Sequence, residues 1–310
     1  MFNIVEKRHW YFVLSALIII PGLAAMIYSI VMFGSPVQLS IDFTGGTLLE
    51  LRIEDTVQPA EIRQVLTDIG FTGSTVTTTA DDTLLVRTKP MDPEAKAGIM
   101  DALGAEFGAV EELRFESVGP AVGAEVTRTA GIAVAVAALF ILAFIIFAFR
   151  KVPNAFRYGV CAIAAMVHDI LVTVGLFSLA GLILGWEADA LFLTAILTVI
   201  GFSVQDTIVV FDRIRENIPK RRGEAYEMIV NRSLLETIHR SLATQLNAIF
   251  VLVALLLFGG ATMKQFVAVL LVGLLSGTYS SIFNAVPLLV VWETRKLRGT
   301  AREAKAKAAA

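Results

Sequence analysis

The sequence predicts a polytopic α-helical membrane protein, with six transmembrane helices and one small α+β domain outside the bilayer. Three observations predict it. The chain has 310 residues, of which 56% are hydrophobic and only 17% charged, where a soluble domain carries about a quarter charged residues. The apolar residues gather into six runs, at 11–33, 129–149, 156–181, 188–211, 241–260 and 265–292. Each is about 20 residues or longer, enough to cross ~30 Å of hydrocarbon as a helix. One long stretch of ordinary soluble composition, 36–127, separates the first run from the second.

Charge placement sets the expected topology. Lys7 and Arg8 precede the first span, and Arg150, Lys151 and Arg157 follow the second. Arg213, Arg215, Lys220, Arg221, Arg222, Arg232 and Arg240 follow the fourth, and Arg295, Lys296, Arg298, Arg302, Lys305 and Lys307 follow the sixth. The alternate loops hold only Lys264. Basic loops stay on the cytoplasmic side, so both termini are expected in the cytoplasm and the soluble stretch outside. The basic clusters therefore read as topology, not as nucleic-acid contacts. The expected divisions are an N-terminus with first helix (1–35), an extracytoplasmic domain (36–128), a five-helix block (129–293) and a basic tail (294–310) that reads as a frayed helix or as disordered, with anionic lipid contact as the alternative. The first run is too long for a signal peptide and reads as an uncleaved anchor, kinked at Pro21. The single cysteine, Cys161, excludes an internal disulfide and a cysteine metal cluster, and reads as a small packing residue.

Within the soluble stretch, Leu49, Leu51 and Ile53 alternate with Glu50, Arg52 and Glu54, the pattern of a half-buried strand. Pro59 opens a helix with Ile62, Val65, Leu66 and Ile69 on one face, and Gly70 ends it. Ser74–Thr79 and Thr83–Thr88 read as a hairpin about Asp81-Asp82. Pro93 opens a second helix with Ile99, Met100, Leu103 and Phe107 inward, and Val110–Phe115 is a last strand. The order βαββαβ is ferredoxin-like. With no metal-ligand cluster and no catalytic motif, the domain reads as a binding or coupling module.

Two glycine-bearing segments, IDFTGGT (41–47) and ESVGPAVGAEV (116–126), join it to the spans. Gly45, Gly46, Gly119 and Pro120 invite tight turns, which makes them ordinary linkers or hinges. The second span begins with many Ala and Gly, suited to close helix approach. The sixth carries Gly273, Gly277 and Ser281 at four-residue spacing, plus Ser276 and Ser280, a small-residue packing stripe. The loop 213–240 has Ile229, Leu234, Leu235 and Ile238 at helical spacing, which predicts a helix lying along the inner surface.

The ionisable residues inside the spans are His168, Asp169 and Asp206, with Arg240 at the mouth of the fifth and Gln245 and Asn247 beyond it. A carboxylate within a membrane helix costs several kcal/mol and faces a partner, a cavity or a proton path. Asp206 lies six residues before Asp212, ~9 Å along a helix. Arg240 enters the next helix from the same side, so its side chain either reaches Asp206 or snorkels to the surface. Desolvation favours a neutral carboxyl and a nearby guanidinium a charged one, so Asp206 reads as a proton relay or as half of a structural ion pair with Arg240. His168 and Asp169 point about 100° apart on a helix and are not expected as a preformed dyad. A second relay and a packed polar bond are both open there. No phosphate-binding, dinucleotide, zinc-protease or serine-hydrolase motif is present, so the driving force is an ion gradient and no cofactor is called for.

IDFTGGT before the domain, SVGPAVG after it, VHD in the third span, LTVIGFSVQDTIVVFDRIREN across the fourth and NRSLLETIHRSLAT into the fifth, with LLLFGG and SSIFNAVPLL beyond, together resemble the SecD/SecF family of bacterial protein-export subunits, in its SecF branch. That resemblance implies an RND-type fold and no enzyme. It also implies partnership with SecD, the SecYEG channel, YajC and unfolded preproteins in the bacterial inner membrane, and use of a proton, or sodium, gradient in late translocation. Asp206 and Arg240 match the family's proton-linked positions. Just after the arginine the chain reads TQLNA (244–248), where the family is often Ser/Thr-rich. A lipid or small-molecule exporter with the same relay, and a non-transporting scaffold, are the rival functions.

Overall fold

The computed structural model describes residues 4–53, 57–78, 83–150 and 155–294. The Asp81-Asp82 turn, Lys151 and the tail from 295 lie outside these residues. The chain divides into two compact units, Leu39–Ala133 and the remainder, Met1–Gln38 with Val134–Ala310.

The smaller unit opens with the one-turn helix α2 (Ile41–Thr44; α1 belongs to the other unit), capped by the Ser40 hydroxyl, which accepts from the Asp42 amide. It continues β1 (Gly46–Ile53), α3 (Pro59–Asp68), β2 (Thr75–Thr78), β3 (Leu84–Thr88), α4 (Pro93–Phe107) and β4 (Val110–Val118). The sheet order is β2-β3-β1-β4 with every pair antiparallel, the ferredoxin-like arrangement. Leu49, Leu51 and Ile53 face inward against Ile62 and Leu66 of α3 and Ile99 and Leu103 of α4. Each such side chain contributes ~1.5–3 kcal/mol when fully buried. The helix starts are set locally. Gln58 and Glu61 form a capping box on α3, and the Asp92 carboxylate accepts from the Ala95 amide at 2.8 Å on α4. Ile69 departs from expectation: α3 ends at Asp68, so Ile69 caps the helix and is 40% exposed instead of packing inward.

The larger unit is helical. Six helices are long and apolar enough to cross a membrane: α1 (Arg8–Phe33), α5 (Pro120–Phe149), α6 (Ala155–Leu184), α7 (Ala190–Lys220), α8 (Tyr226–Phe258) and α9 (Ala261–Ser280). A π-helical turn, Ser281–Ala285, follows α9, and helix resumes over 286–294. α9 packs against α6, α7 and α8, and α1 against α6.

One expectation is corrected here. The 213–240 segment is not a separate surface helix. α7 runs on to Lys220 and α8 begins at Tyr226, so its residues are the polar ends of two long helices. The reason is polar pairing across those ends: Asn217 Nδ2 donates to Ser233 Oγ and to Glu236 Oε2, both at 2.9 Å, and Arg213 Nε to Glu236 Oε2 at 2.6 Å. At the Ala/Gly-rich start of the second span, an added Cβ on Gly131 would touch nothing within 4 Å. In the later part of α5 only Ile145 and Phe149 are buried, Phe149 stacking on Tyr158 at 5.6 Å.

A close backbone-to-backbone crossing joins α1 and α6. A Cβ built on Gly22 of α1 would sit 2.9 Å from Gly175 Cα, and one on Gly175 2.8 Å from Gly22 Cα. Both neighbours are backbone and cannot step aside. Gly175→Val is therefore expected to destabilise the bundle by on the order of 3 kcal/mol, read as loss of protein from the membrane fraction and a lower melting temperature in detergent. Gly131→Val, in open space, is the control and should change neither.

Candidate functional site

α7 carries the site. Its buried face runs Val199, Ile200, Ser203, Val204, Asp206, Thr207, Val210, Phe211, so a serine and an aspartate fall one turn apart among packed aliphatic residues. Asp206 is 4% exposed. Its Oδ2 accepts from Gln245 Nε2 of α8 at 2.6 Å, and Gln245 is itself buried. Among the described residues no other group hydrogen-bonds to this carboxylate.

Arg240 is placed differently from its expected pairing. Among the described residues no ion pair joins it to Asp206. It is exposed and lines a cavity of about 300 Å³ with Val209, Asp212, Arg213, Glu216, Glu236 and Thr237, at the charged ends of α7 and α8. Of the two arrangements open to it, the arginine takes the surface one, and Gln245, five residues further along α8, takes the place beside the carboxylate.

The second carboxylate is more deeply held. Asp169 of α6 is 0% exposed. Its Oδ1 accepts from Ser276 Oγ at 2.6 Å and meets His168 Nδ1 at 3.0 Å. Its Oδ2 accepts from Ser203 Oγ and Ser280 Oγ, both at 2.6 Å. His168 Nε2 continues to Ser15 Oγ of α1 at 3.0 Å, and Ser15 accepts from Asn284 Nδ2 of the π-helical turn at 2.9 Å. The expectation that His168 and Asp169 are not a dyad is thus overturned. Their Cα–Cβ bonds diverge, but the imidazole is long enough to swing back over the neighbouring carboxylate.

Ser276 and Ser280 belong to the stripe read as packing. Half of that reading holds: an added Cβ at Gly273 would collide with the Val199 side chain, and one at Gly277 would lie 3.3 Å from Ser203 Cα. Ser276 and Ser280, however, are donors to a buried charge. The signal was present in the sequence as hydroxyls one turn apart, at 276 and 280, together with an intramembrane aspartate that needed donors.

The connector glycines also come together. Gly45 has φ +70 and ψ 169, and a Cβ there would lie 2.9 Å from Pro120 Cα; one on Gly46 would lie 2.9 Å from Thr88 O. Gly123, not singled out in the sequence, would bring a Cβ to 2.7 Å from the Gly45 amide nitrogen. Thr47 Oγ1 and Ser117 Oγ share a hydrogen bond of 2.8 Å, and Thr127 Oγ1 donates to Phe43 O at 3.1 Å. The two segments are clasped to each other, and Gly119 alone of the four expected positions stands in open space.

Six membrane-length helices, a ferredoxin-like insertion after the first, and two aspartates buried in the bundle define a polytopic membrane protein. The comparisons with known proteins narrow this. Residues 99–295 match the family model for the C-terminal part of the protein export membrane proteins SecD/SecF, and residues 30–57 match the SecD/SecF GG motif. The chain is 49% identical over 302 residues to the protein translocase subunit SecF of Anaerolinea thermophila, covering 96% of each chain. It is 49% identical over 323 residues to that of Thermobaculum terrenum, covering all of both. Among solved structures it matches SecDF of Thermus thermophilus, titled a translocon-associated membrane protein, with a TM-score of 0.79 and 33% identity over 94% of this chain. It spans 39% of that longer chain. The chain belongs to the SecD/SecF family of protein export membrane proteins.

Proposed function

We propose that this chain is the SecF subunit of the bacterial protein translocase, which uses the proton-motive force with SecD to promote late preprotein translocation across the cytoplasmic membrane. The observation that carries the coupling is Asp206: a carboxylate buried in a membrane helix, held by a single neutral donor, with room to gain and lose a proton without dismantling a network. Arg240, at the cavity about two turns away along the helices, supplies a fixed positive charge near the entrance, since arginine does not titrate in proteins. The proton moves between that cavity and Asp206, the packing of α7 on α8 changes with its charge, and the change is passed to the ferredoxin-like domain, which works outside the membrane with that of SecD on an unfolded chain.

Partnership with SecD has its own support. Gln205 on α7 and Thr244 and Asn247 on α8 are exposed on this chain alone, and polar groups facing hydrocarbon are costly. A partner helix bundle is the cover they call for, and the longer SecDF relative carries additional chain with which to provide one. SecYEG, with YajC, is the channel on which the pair acts, and both termini lie in the cytoplasm.

The test is release of a secreted reporter from cells lacking the gene, complemented by this chain, with and without an uncoupler. Restored release that the uncoupler removes is the expected result. Release that survives the uncoupler and falls instead with a sodium ionophore would move the coupling to sodium, and no restoration would remove the export role. Arg240→Lys is expected to lower release by about tenfold, because lysine, unlike arginine, can deprotonate; full release there would mean that any positive charge suffices.

A further inference from the structure

The two buried aspartates differ in hydrogen-bond capacity. A carboxylate offers about four acceptor positions. At Asp169 they are filled by three serine hydroxyls at 2.6 Å and by His168 Nδ1 at 3.0 Å. A proton arriving there would turn one of these hydroxyls from donor to acceptor. At Asp206 one position is filled, by Gln245, and the others are open to a proton. Deep in the bundle, the fully satisfied carboxylate resists change and the sparsely satisfied one permits it.

The partners of Asp169 come from separate helices. Ser203 is on α7 and Ser276 and Ser280 are on α9, so three short charge-assisted bonds, the strong kind, tie α6, α7 and α9 at one level. Ser203 lies three residues before Asp206 on the same buried face. Gly277 holds the α9 backbone close to Ser203 Cα, where a Cβ would come within 3.3 Å. The height and rotation of the α7 turn that carries Asp206 are therefore set by Asp169, and His168 extends the same tie to Ser15 of α1.

We propose that Asp169 is a positioning residue for the ion-coupled step: a fixed anionic knot with Ser203, Ser276 and Ser280 that places Asp206 and does not itself carry the transported proton. The proposal rests on the reading of Asp206 given above and assigns the VHD motif the role of anchor in place of a second relay.

Dicyclohexylcarbodiimide reacts with protonated carboxyls in apolar surroundings, so it reports which aspartate takes up a proton. The full-length protein in native membranes is treated with it and the adducts are mapped by mass spectrometry. In the wild type the adduct is expected at Asp206 and not at Asp169. In Ser276→Ala/Ser280→Ala, which removes two of the four donors, an adduct is expected at Asp169. In Asp169→Asn, at equal membrane level, the adduct yield at Asp206 and the release of a secreted reporter are each expected to change by about tenfold or more, the scale on which an ångström of misplacement acts. A residue that only supports the fold would alter membrane level and leave the yield per molecule at Asp206 unchanged. Labelling of Asp169 in the wild type, absence of label at Asp206, absence of label at Asp169 in the serine variant, or an unchanged Asp206 yield in Asp169→Asn would each overturn the proposal. The two readings fail separately: normal release in Asp206→Asn removes the coupling role of Asp206, whereas normal release in Asp169→Asn alone removes only the positioning role.

Discussion

Asp206→Asn is expected to abolish the ion-driven part of export while leaving the protein folded and in the membrane at the wild-type level. Asparagine has the shape of aspartate and keeps a carbonyl oxygen for Gln245 Nε2, which now donates to the carboxylate at 2.6 Å. The bond between α7 and α8 therefore persists, and removing a buried charge from a membrane helix costs nothing in insertion. What is lost is the ability to change charge. Removal of a proton-transferring group typically lowers a rate by about 10² to 10⁴, so the gain in reporter release over the gene-deleted strain should vanish. Gln245→Leu is the complementary variant. It leaves the carboxylate without its donor, a defect of about 1–3 kcal/mol for a buried polar group, and should lower release only in part, because the exchangeable proton remains. Wild-type release from Asp206→Asn at equal membrane level would sink the coupling role.

The contrast between those variants could not have been drawn from the sequence. Hydropathy marks where a helix crosses, and alternation marks which face of a strand is buried; Leu49, Leu51 and Ile53 are inward as their spacing requires. Neither pattern carries the rotational and axial register between helices. Asp206 and Arg240 enter from the same side, which leaves the arginine either a pairing or a surface position, and register brings Gln245 to the carboxylate and leaves Arg240 at the cavity. The same gap hid the Asp169 knot. Ser276 and Ser280 on an apolar helix have the size of packing residues and the chemistry of donors, and only the placement of α6 against α9 decides which property is used. The polar ends of α7 and α8 were misjudged for a related reason: composition along the chain ends at the last apolar residue, whereas the helices continue because Asn217, Ser233 and Glu236 satisfy one another.

Gly45→Ala is expected to be the most damaging single-methyl change in the ferredoxin-like unit, and Gly119→Ala nearly silent, although both glycines sit in the connectors and read alike in the sequence. Gly45 adopts φ +70 with ψ 169, a region essentially confined to glycine that costs other residues about 1–3 kcal/mol. The new Cβ would also stand 2.9 Å from Pro120 Cα and 3.2 Å from Pro120 N, backbone atoms that can move only by opening the clasp, for a further ~1–3 kcal/mol. The sum is on the order of 4 kcal/mol, a large share of the roughly 5–15 kcal/mol that stabilises a domain. Gly123→Ala should act in the same way through its contact with the Gly45 nitrogen, where the added Cβ would lie at 2.7 Å. Gly119 has open space around it, and its replacement should stay within about 0.5 kcal/mol. Limited proteolysis of the full-length protein in membranes reads the difference as faster cleavage within 39–133 for Gly45→Ala and Gly123→Ala, and wild-type cleavage for Gly119→Ala. Equal resistance in all three would mean that the clasp is loose and that the connectors behave as open linkers. Sensitivity confined to the two packed glycines would mean that the two connectors leave the domain as one joined element, so that any movement delivered to the domain reaches both connectors together.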